Sequence, residues 1–290
     1  MEKIGLILLI GFLASLTIAG IDTATNYMPP FTFTTVRLMI ASAIFAVIFY
    51  FLRPKYHWHV RGVIDMVLIG LLNIGLPFVI VATGMRFVSG SISAVLLNTT
   101  PVFTLVMAHY LLADEKLTPI KIIGTAIAIT GATILLLSNS TGLAVPAGQG
   151  WLGQALIILA SFLSALGVIY TRLRLREENA FVVAGGQVIA SLILIAPLAF
   201  YLDGFPTFAR YAWQGWVGVT VAAVCGPVAI FWLVFYIINK YSASLASFAG
   251  IATPFFSILI GVLFMGEVLT LPFVIGSLCL VVGVWSLHNF

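Results

Sequence analysis

The sequence predicts an all-α integral membrane fold: ten transmembrane helices arranged as two inverted five-helix repeats. Three observations predict it. Charged residues are scarce, apolar runs of about 20 residues recur end to end, and the two halves of the chain resemble each other. The 290 residues include 13 Lys and Arg and nine Asp and Glu, 8% of the chain, while 62% are hydrophobic. A soluble domain has about 25% charged residues to cover its water-facing surface, and this chain cannot do so. A mean hydropathy of +1.18 settles the solvent as lipid. Disorder, nucleic-acid binding and a secreted disulfide scaffold are excluded. The net charge of +4 comes from basic residues in short loops, which is no nucleic-acid footprint. Cys225 and Cys279 fall inside apolar stretches and read as small buried hydrophobes.

Each span is bounded by polar punctuation. The first, 4–21, follows Lys3 and ends at Asp22. Its apolar core of about 18 residues is too long for the hydrophobic region of a secretory signal, so it counts as a span. Pro30 precedes the second, 31–52, which stops at Arg53. The third, 63–84, follows Arg61, and the fourth, 90–112, ends before Asp114-Glu115-Lys116. The fifth, 118–138, runs into a polar, Gly-containing stretch from Asn139 to Gly150. The sixth and seventh, 151–171 and 180–201, are separated by Arg172 to Asn179. Past the Asp203 to Arg210 break, 212–265 is too long for one span, and Asn239-Lys240-Tyr241 divides it into 212–238 and 243–265. The tenth is 270–288.

Lys and Arg set the orientation. With the N-terminus in the cytoplasm, the inside loops hold Lys3, Arg53, Lys55, Arg61, Lys116, Arg172, Arg174, Arg176 and Lys240, and the outside loops only Arg86 and Arg210. Both termini are therefore expected in the cytoplasm, in a plasma (inner) membrane.

The self-similarity has an offset of about 152 residues, with slippage. Ser91-Ile92-Ser93 and Thr100-Pro101 align with Ser244-Leu245-Ala246 and Thr253-Pro254, and Glu115-Lys116-Leu117-Thr118 with Glu267-Val268-Leu269-Thr270. Gly124 and Gly131 match Gly276 and Gly283, Pro77 matches Pro227, and Arg37 matches Gln187. Each half has five spans; five is odd, so the second half inserts upside down. Secondary transporters built this way carry their site near mid-membrane between the repeats. The expected division is 1–139 and 150–290, with 140–149 as linker.

These landmarks resemble the EamA-type, ten-helix members of the drug/metabolite transporter superfamily. The resemblance rests on Ser91-x-x-Ala94 to Thr100-Pro101, the Asp114-Glu115-x-Leu117-Thr118 turn, and Gly124 and Gly131. Thr253-Pro254, Gly266-Glu267-x-Leu269-Thr270, Gly276 and Gly283 repeat them, and Val36-Arg37-Leu38 is similar to that family's second helix. The resemblance covers essentially the whole chain. It implies export or exchange of small metabolites, often amino acids or related solutes, through a central cavity, and carries no substrate motif.

No catalytic constellation is present in the sequence. Intramembrane aspartyl chemistry needs two mid-span Asp residues, and all nine acids fall at span ends or in loops. Zinc needs three or four ligands, but His57 and His59 sit in a basic loop and His109 and His288 are isolated. No Gly-x-Ser-x-Gly elbow occurs. No enzyme activity, cofactor or metal is expected.

Arg37 is the one charge within a span, seven residues after Pro30, or about 10 Å at 1.5 Å per residue. It either satisfies a buried carbonyl or meets a substrate carboxylate. Asn73 and Asn98 each precede a proline, by four and three residues, and with Arg37, Tyr170, Gln187, Trp232 and Tyr236 they form the candidate cavity lining. Pro77, Pro101, Pro227 and Pro254 are candidate hinges or packing kinks, since a mid-span proline frees a carbonyl that neighbours or a wet cavity must take up. The glycines seven apart read as close helix packing. Asp22 and His109 are the candidate proton sites, though neither lies deep in a span, so substrate exchange with little proton drive is expected. The leading expectation is a metabolite exporter or exchanger working by alternating access, as monomer or homodimer in the lipid bilayer. A broad-specificity drug-efflux protein and a non-transporting membrane scaffold or sensor are the alternatives.

Overall fold

A computed structural model describes residues 2–52, 60–112, 118–138, 149–175, 178–204, 211–230, 232–233 and 252–288. Among these residues all regular structure is helical. The first half contains α1 (Glu2–Thr25), α2 (Pro30–Leu52), α3 (Val60–Ile69), α4 (Leu76–Gly84), α5 (Gly90–Leu97), α6 (Thr100–Leu111) and α7 (Pro119–Leu137). The second half contains α8 (Gly150–Arg174), α9 (Ala180–Leu202), α10 (Trp213–Ala223), α11 (Thr253–Phe264) and α12 (Leu271–His288). Eight stretches are long and apolar enough to cross a membrane, and α11 and α12 are shorter apolar helices, which gives the ten spans.

Helix starts follow local chemistry. Pro30 opens α2, and Pro119 opens α7, where the missing N–H of proline costs nothing. Ser89, Thr118 and Asn179 cap α5, α7 and α9 by accepting backbone N–H bonds from Ile92, Lys121 and Phe181.

Three spans expected as single helices are interrupted, each beside a proline. The third is α3, a π-helical segment over Gly70–Gly75, then α4, with Pro77 at its start. The fourth breaks between α5 and α6 at Asn98 and Thr99, just before Pro101. In the second half, α10 runs into a second π-helical segment, Val224–Ile230, which contains Pro227. Pro254 stands in the first turn of α11. The pair Pro77 and Pro227 therefore marks the same kind of irregularity, a π-helical segment, in each repeat.

The last spans of the two repeats, α7 and α12, pack on each other through the paired glycines. A Cβ on Gly283 would meet the Gly124 carbonyl at 2.7 Å, and one on Gly276 would meet the Gly131 carbonyl at 3.0 Å. Without a hydrophobic drive between helices in lipid, such backbone approach is what dispersion requires. Gly20 of α1 and Gly218 of α10 make a second contact of this kind.

Polar links join the repeats at matching ends. Asp203 Oδ2 accepts from Thr32 N at 2.7 Å and Thr32 Oγ1 at 2.9 Å, at the start of α2. Glu267 Oε1 accepts from Ser91 N at 3.3 Å, at the start of α5. Both carboxylates thus sit on helix N-termini, where the dipole favours them. At the opposite end, Tyr170 Oη donates to Asp65 Oδ1 at 2.7 Å, and Arg174 Nε lies 3.8 Å from the same oxygen.

If the glycine contact holds α7 to α12, Gly283→Leu should lower thermal stability in detergent by about 1–3 kcal/mol, the usual cost of overpacking. Gly5→Leu, at a position with nothing within 4 Å of an added Cβ, should leave the midpoint unchanged. Thermal unfolding of both variants checks this.

Candidate substrate site

A cavity of about 440 Å³ lies between the two halves, lined among the described residues by parts of α1, α2, α4, α5, α6, α8, α11 and the second π-helical segment. Its walls are mostly apolar: Ile18, Ile21, Phe78, Val81, Leu97 and Ile230, with Pro77, Pro101 and Pro227. Thr17, Asn98, Thr100, Ser164 and Thr253 add neutral polar groups, and Arg37 adds the one charge. Several lie near the middle of their spans, such as Ser164 in α8 and Thr17 in α1, which puts the cavity near mid-depth.

Arg37 is only 4% exposed. Its Nε donates to the Ala222 carbonyl at 3.2 Å, and its guanidinium carbon stands 3.9 Å from the centre of the Phe78 ring. The carbonyl contact follows from Pro227. In a π-helical register the N–H of residue 227 would serve the carbonyl five residues earlier, at Ala222. Proline has no N–H, and Arg37 supplies the donor. Gly226 makes room for the head group: a Cβ there would sit 2.8 Å from Arg37 Nη2.

The same contact recurs in the other repeat with different chemistry. Gln187 of α9, the mate of Arg37, accepts from Asn73 Nδ2 at 3.0 Å, and Asn73 lies in the first π-helical segment. In each case the second span of one repeat is hydrogen-bonded to the interrupted third span of the other. One copy brings a cation to the cavity and the other forms a neutral amide pair.

The expected lining residues are therefore divided. Arg37, Asn98, Pro77, Pro101 and Pro227 meet in the cavity, and Pro254 follows its wall residue Thr253. Asn98 Nδ2 donates to the Ala94 carbonyl at 2.8 Å across the broken turn. Asn73 and Gln187 are not among the described lining residues; the Asn73 amide donates to the Gln187 carbonyl oxygen instead. Tyr170 is not among them either; the α8 register turns it to Asp65, near the helix end. Trp232 is 59% exposed and is not among the described lining residues. Tyr236 falls outside the described residues.

Asp22 is half-buried in the last turns of α1, within electrostatic reach of the Glu267 carboxylate and not among the cavity lining. His109 is in the last turn of α6, its ring edge-on to Tyr110. No group of three or more His, Cys, Asp or Glu that could hold a metal occurs among the described residues.

Phe78, Gly226 and Glu267 were not foreseen as partners. Glu267 had a sequence signal, since its Glu-x-Leu-Thr turn is repeated in both halves. Its reason is structural: the buried carboxylate caps α5, and Gly261 leaves the space it occupies. Gly226 stands beside a mid-span proline, the one hint it gave.

A ten-span helical bundle with a mid-depth cavity between inverted repeats is the architecture of a membrane transporter. The chain belongs to the EamA-like transporter family, whose model matches residues 2–137 and 151–288. It is 21% identical over 259 residues to the uncharacterized transporter YoaV of Bacillus subtilis, covering 89% of this chain and 87% of that one. An uncharacterized transporter of Archaeoglobus fulgidus is 22% identical over 287 residues, covering 93% and 92%. A solved crystal structure shares the fold with a TM-score of 0.66 at 18% identity, covering 98% of this chain and 96% of the other.

The Asn73–Gln187 pair should show a measurable coupling. In a double-mutant cycle with Asn73→Ala and Gln187→Ala, the interaction energy from unfolding in mixed micelles should fall between about 0.6 and about 1.7 kcal/mol. Additive single effects would show that the amides act independently.

Proposed function

We propose that the protein is a secondary transporter that exports or exchanges small metabolites, amino acids or related solutes, by alternating access. The observation that carries this reading is the mid-depth cavity walled by Pro77, Pro101 and Pro227, prolines of both repeats. Proline-interrupted spans at matching positions are where two halves of a bundle can rock about a fixed site. The division into residues 1–139 and 150–290 supplies the two rocking units, and the described lining comes from both halves of one chain, which fits a monomer or a homodimer with a site in each copy. Broad drug efflux is the second reading, favoured by the apolar walls. Two observations weigh against it for cationic drugs: Trp232 is not among the described lining residues, and Arg37 places a positive charge in the cavity.

The proposed setting is a plasma membrane with both termini cytoplasmic, as the Lys and Arg distribution requires. On this reading the 53–61 and 172–179 loops are cytoplasmic, and the contact of Asp65 with Tyr170 and Arg174 ties the adjoining helix ends to one face. Single cysteines in both loops should react with a membrane-impermeant maleimide only from inverted vesicles; labelling of either loop from outside would overturn the orientation.

Counterflow in proteoliposomes tests the function: preloaded unlabelled amino acid should accelerate uptake of its labelled form. No counterflow of any solute across a broad panel of amino acids, carboxylates and amines would favour the scaffold reading. Movement should follow the substrate gradient, with little response to an imposed proton gradient, because no carboxylate among the described residues lines the cavity. A several-fold stimulation of a neutral substrate that vanishes in Asp22→Asn would assign proton coupling to Asp22, and loss in His109→Gln would move it to α6.

A further inference from the structure

Among the described residues, Arg37 is a buried cation with no acidic side chain paired to it. Its Nε–H goes to the Ala222 carbonyl and its face to Phe78. A guanidinium carries five N–H donors, so most of its hydrogen-bonding capacity is left on the two terminal nitrogens. Three of the described acids are engaged elsewhere. Asp65 holds Tyr170, Asp203 holds Thr32 and Glu267 caps α5. Asp22 lies outside the lining, and the undescribed 234–251 stretch contains no Asp or Glu. A buried charge left with one carbonyl and one ring is costly, and that cost falls when an anion arrives in the cavity.

We propose that Arg37 is the anchor for a substrate carboxylate, and that the transported class is small organic carboxylates with a single apolar body. This rests on the transporter reading and narrows it. The guanidinium fork matches a carboxylate in two parallel hydrogen bonds. The apolar body then lies against Ile18, Val81, Leu97 and Ile230, and a volume of about 440 Å³ holds a solute of amino-acid size. An α-ammonium is tolerated, since neutral groups such as Asn98 line the cavity, but it is not required, because no carboxylate among the described lining residues receives it. A lone amine is disfavoured by repulsion from Arg37. The inverted repeat sharpens the assignment: Gln187, the equivalent residue, spends its amide on Asn73 and faces no substrate.

Binding to the purified protein and counterflow in proteoliposomes, each with hydrocinnamate, hydrocinnamamide, phenethylamine and phenylalanine, test this. These probes share one ring and differ in the head group. Hydrocinnamate and phenylalanine should bind at least about tenfold tighter than the amide and the amine. Arg37→Gln, which installs the residue of the other repeat and keeps a donor for Ala222, should abolish that preference, and Arg37→Lys should retain part of it. Gly226→Ala, whose methyl group displaces Nη2, should weaken the two carboxylates while leaving hydrocinnamamide unchanged, and it carries the test should Arg37→Gln fail to fold. Undiminished carboxylate preference in folded Arg37→Gln, or a preference for phenethylamine in the wild type, overturns the anchor. Counterflow without carboxylate preference overturns the anchor and leaves transport standing. Arg37-dependent binding without counterflow supports the anchor and overturns transport.

Discussion

The hydrogen bond from Arg37 to the Ala222 carbonyl is the interaction on which the centre of this protein depends. Hydrocarbon offers no partner to a backbone carbonyl, and an unsatisfied one costs several kcal/mol. Pro227 creates such a carbonyl in the middle of a span, and the helix answers with a π-helical segment and not with a break to solvent. The side chain that supplies the donor comes from the opposite repeat. The irregularity, the buried charge and the repeat interface are therefore one feature. A lysine in this position would offer donors but no flat face for Phe78, and a glutamine would offer donors but no charge.

Inverted repetition explains why the arrangement has two copies, and divergence explains why they differ. Both repeats interrupt their third span beside a proline and bond it to the second span of the other repeat. In one copy the bond runs from one neutral amide to another. In the other the donor is charged and retains free N–H groups. A symmetric scaffold thereby acquires an asymmetric field at its centre, which is a specificity device more than a stability device. The carboxylates at the helix ends belong to stability: Asp203 and Glu267 each satisfy the first turn of a helix in the other repeat.

Much of this was legible in the sequence, for physical reasons that vary by residue. The spans follow from length and polarity alone, and the glycine pairs foretold the α7–α12 contact because only small residues let helix backbones approach so closely. Arg37 stood out as a charge within an apolar run, and Asn98 as an amide one turn from a proline. Asn73 and Gln187 carried the same signal and are hydrogen-bonded to each other; sequence marks a buried amide as needing a partner but does not say which one. Tyr170 and Trp232 were misplaced for another reason. An aromatic in a span is compatible with any face of the helix, and rotation about the helix axis is fixed by packing partners distant in sequence. The π-helical segments were invisible, since a proline signals an irregularity without its form.

Stiffness and compliance are distributed unequally through the bundle. Where glycines bring backbones together, as at α7–α12 and at Gly20–Gly218, sliding would drive carbonyls and Cα atoms into one another, so these contacts resist small displacements. Around the cavity the spans are broken at Asn98–Thr99, at Gly70–Gly75 and at Val224–Ile230. A π-helical turn can change register with its hydrogen bonds exchanged and not lost, so bending there costs less than bending a regular helix in lipid. The cation sits at the junction of these compliant segments. On the carboxylate reading, an anion that pairs with Arg37 changes the charge balance beside the Ala222 bond, and with it the strength of the hydrogen bond that ties α2 to α10 just ahead of the second π-helical segment. Binding energy would thus be felt at the place in the fold most able to move. A ligand can shift a conformational equilibrium only by the difference in its affinity for the two states, and this junction is where such a difference would arise.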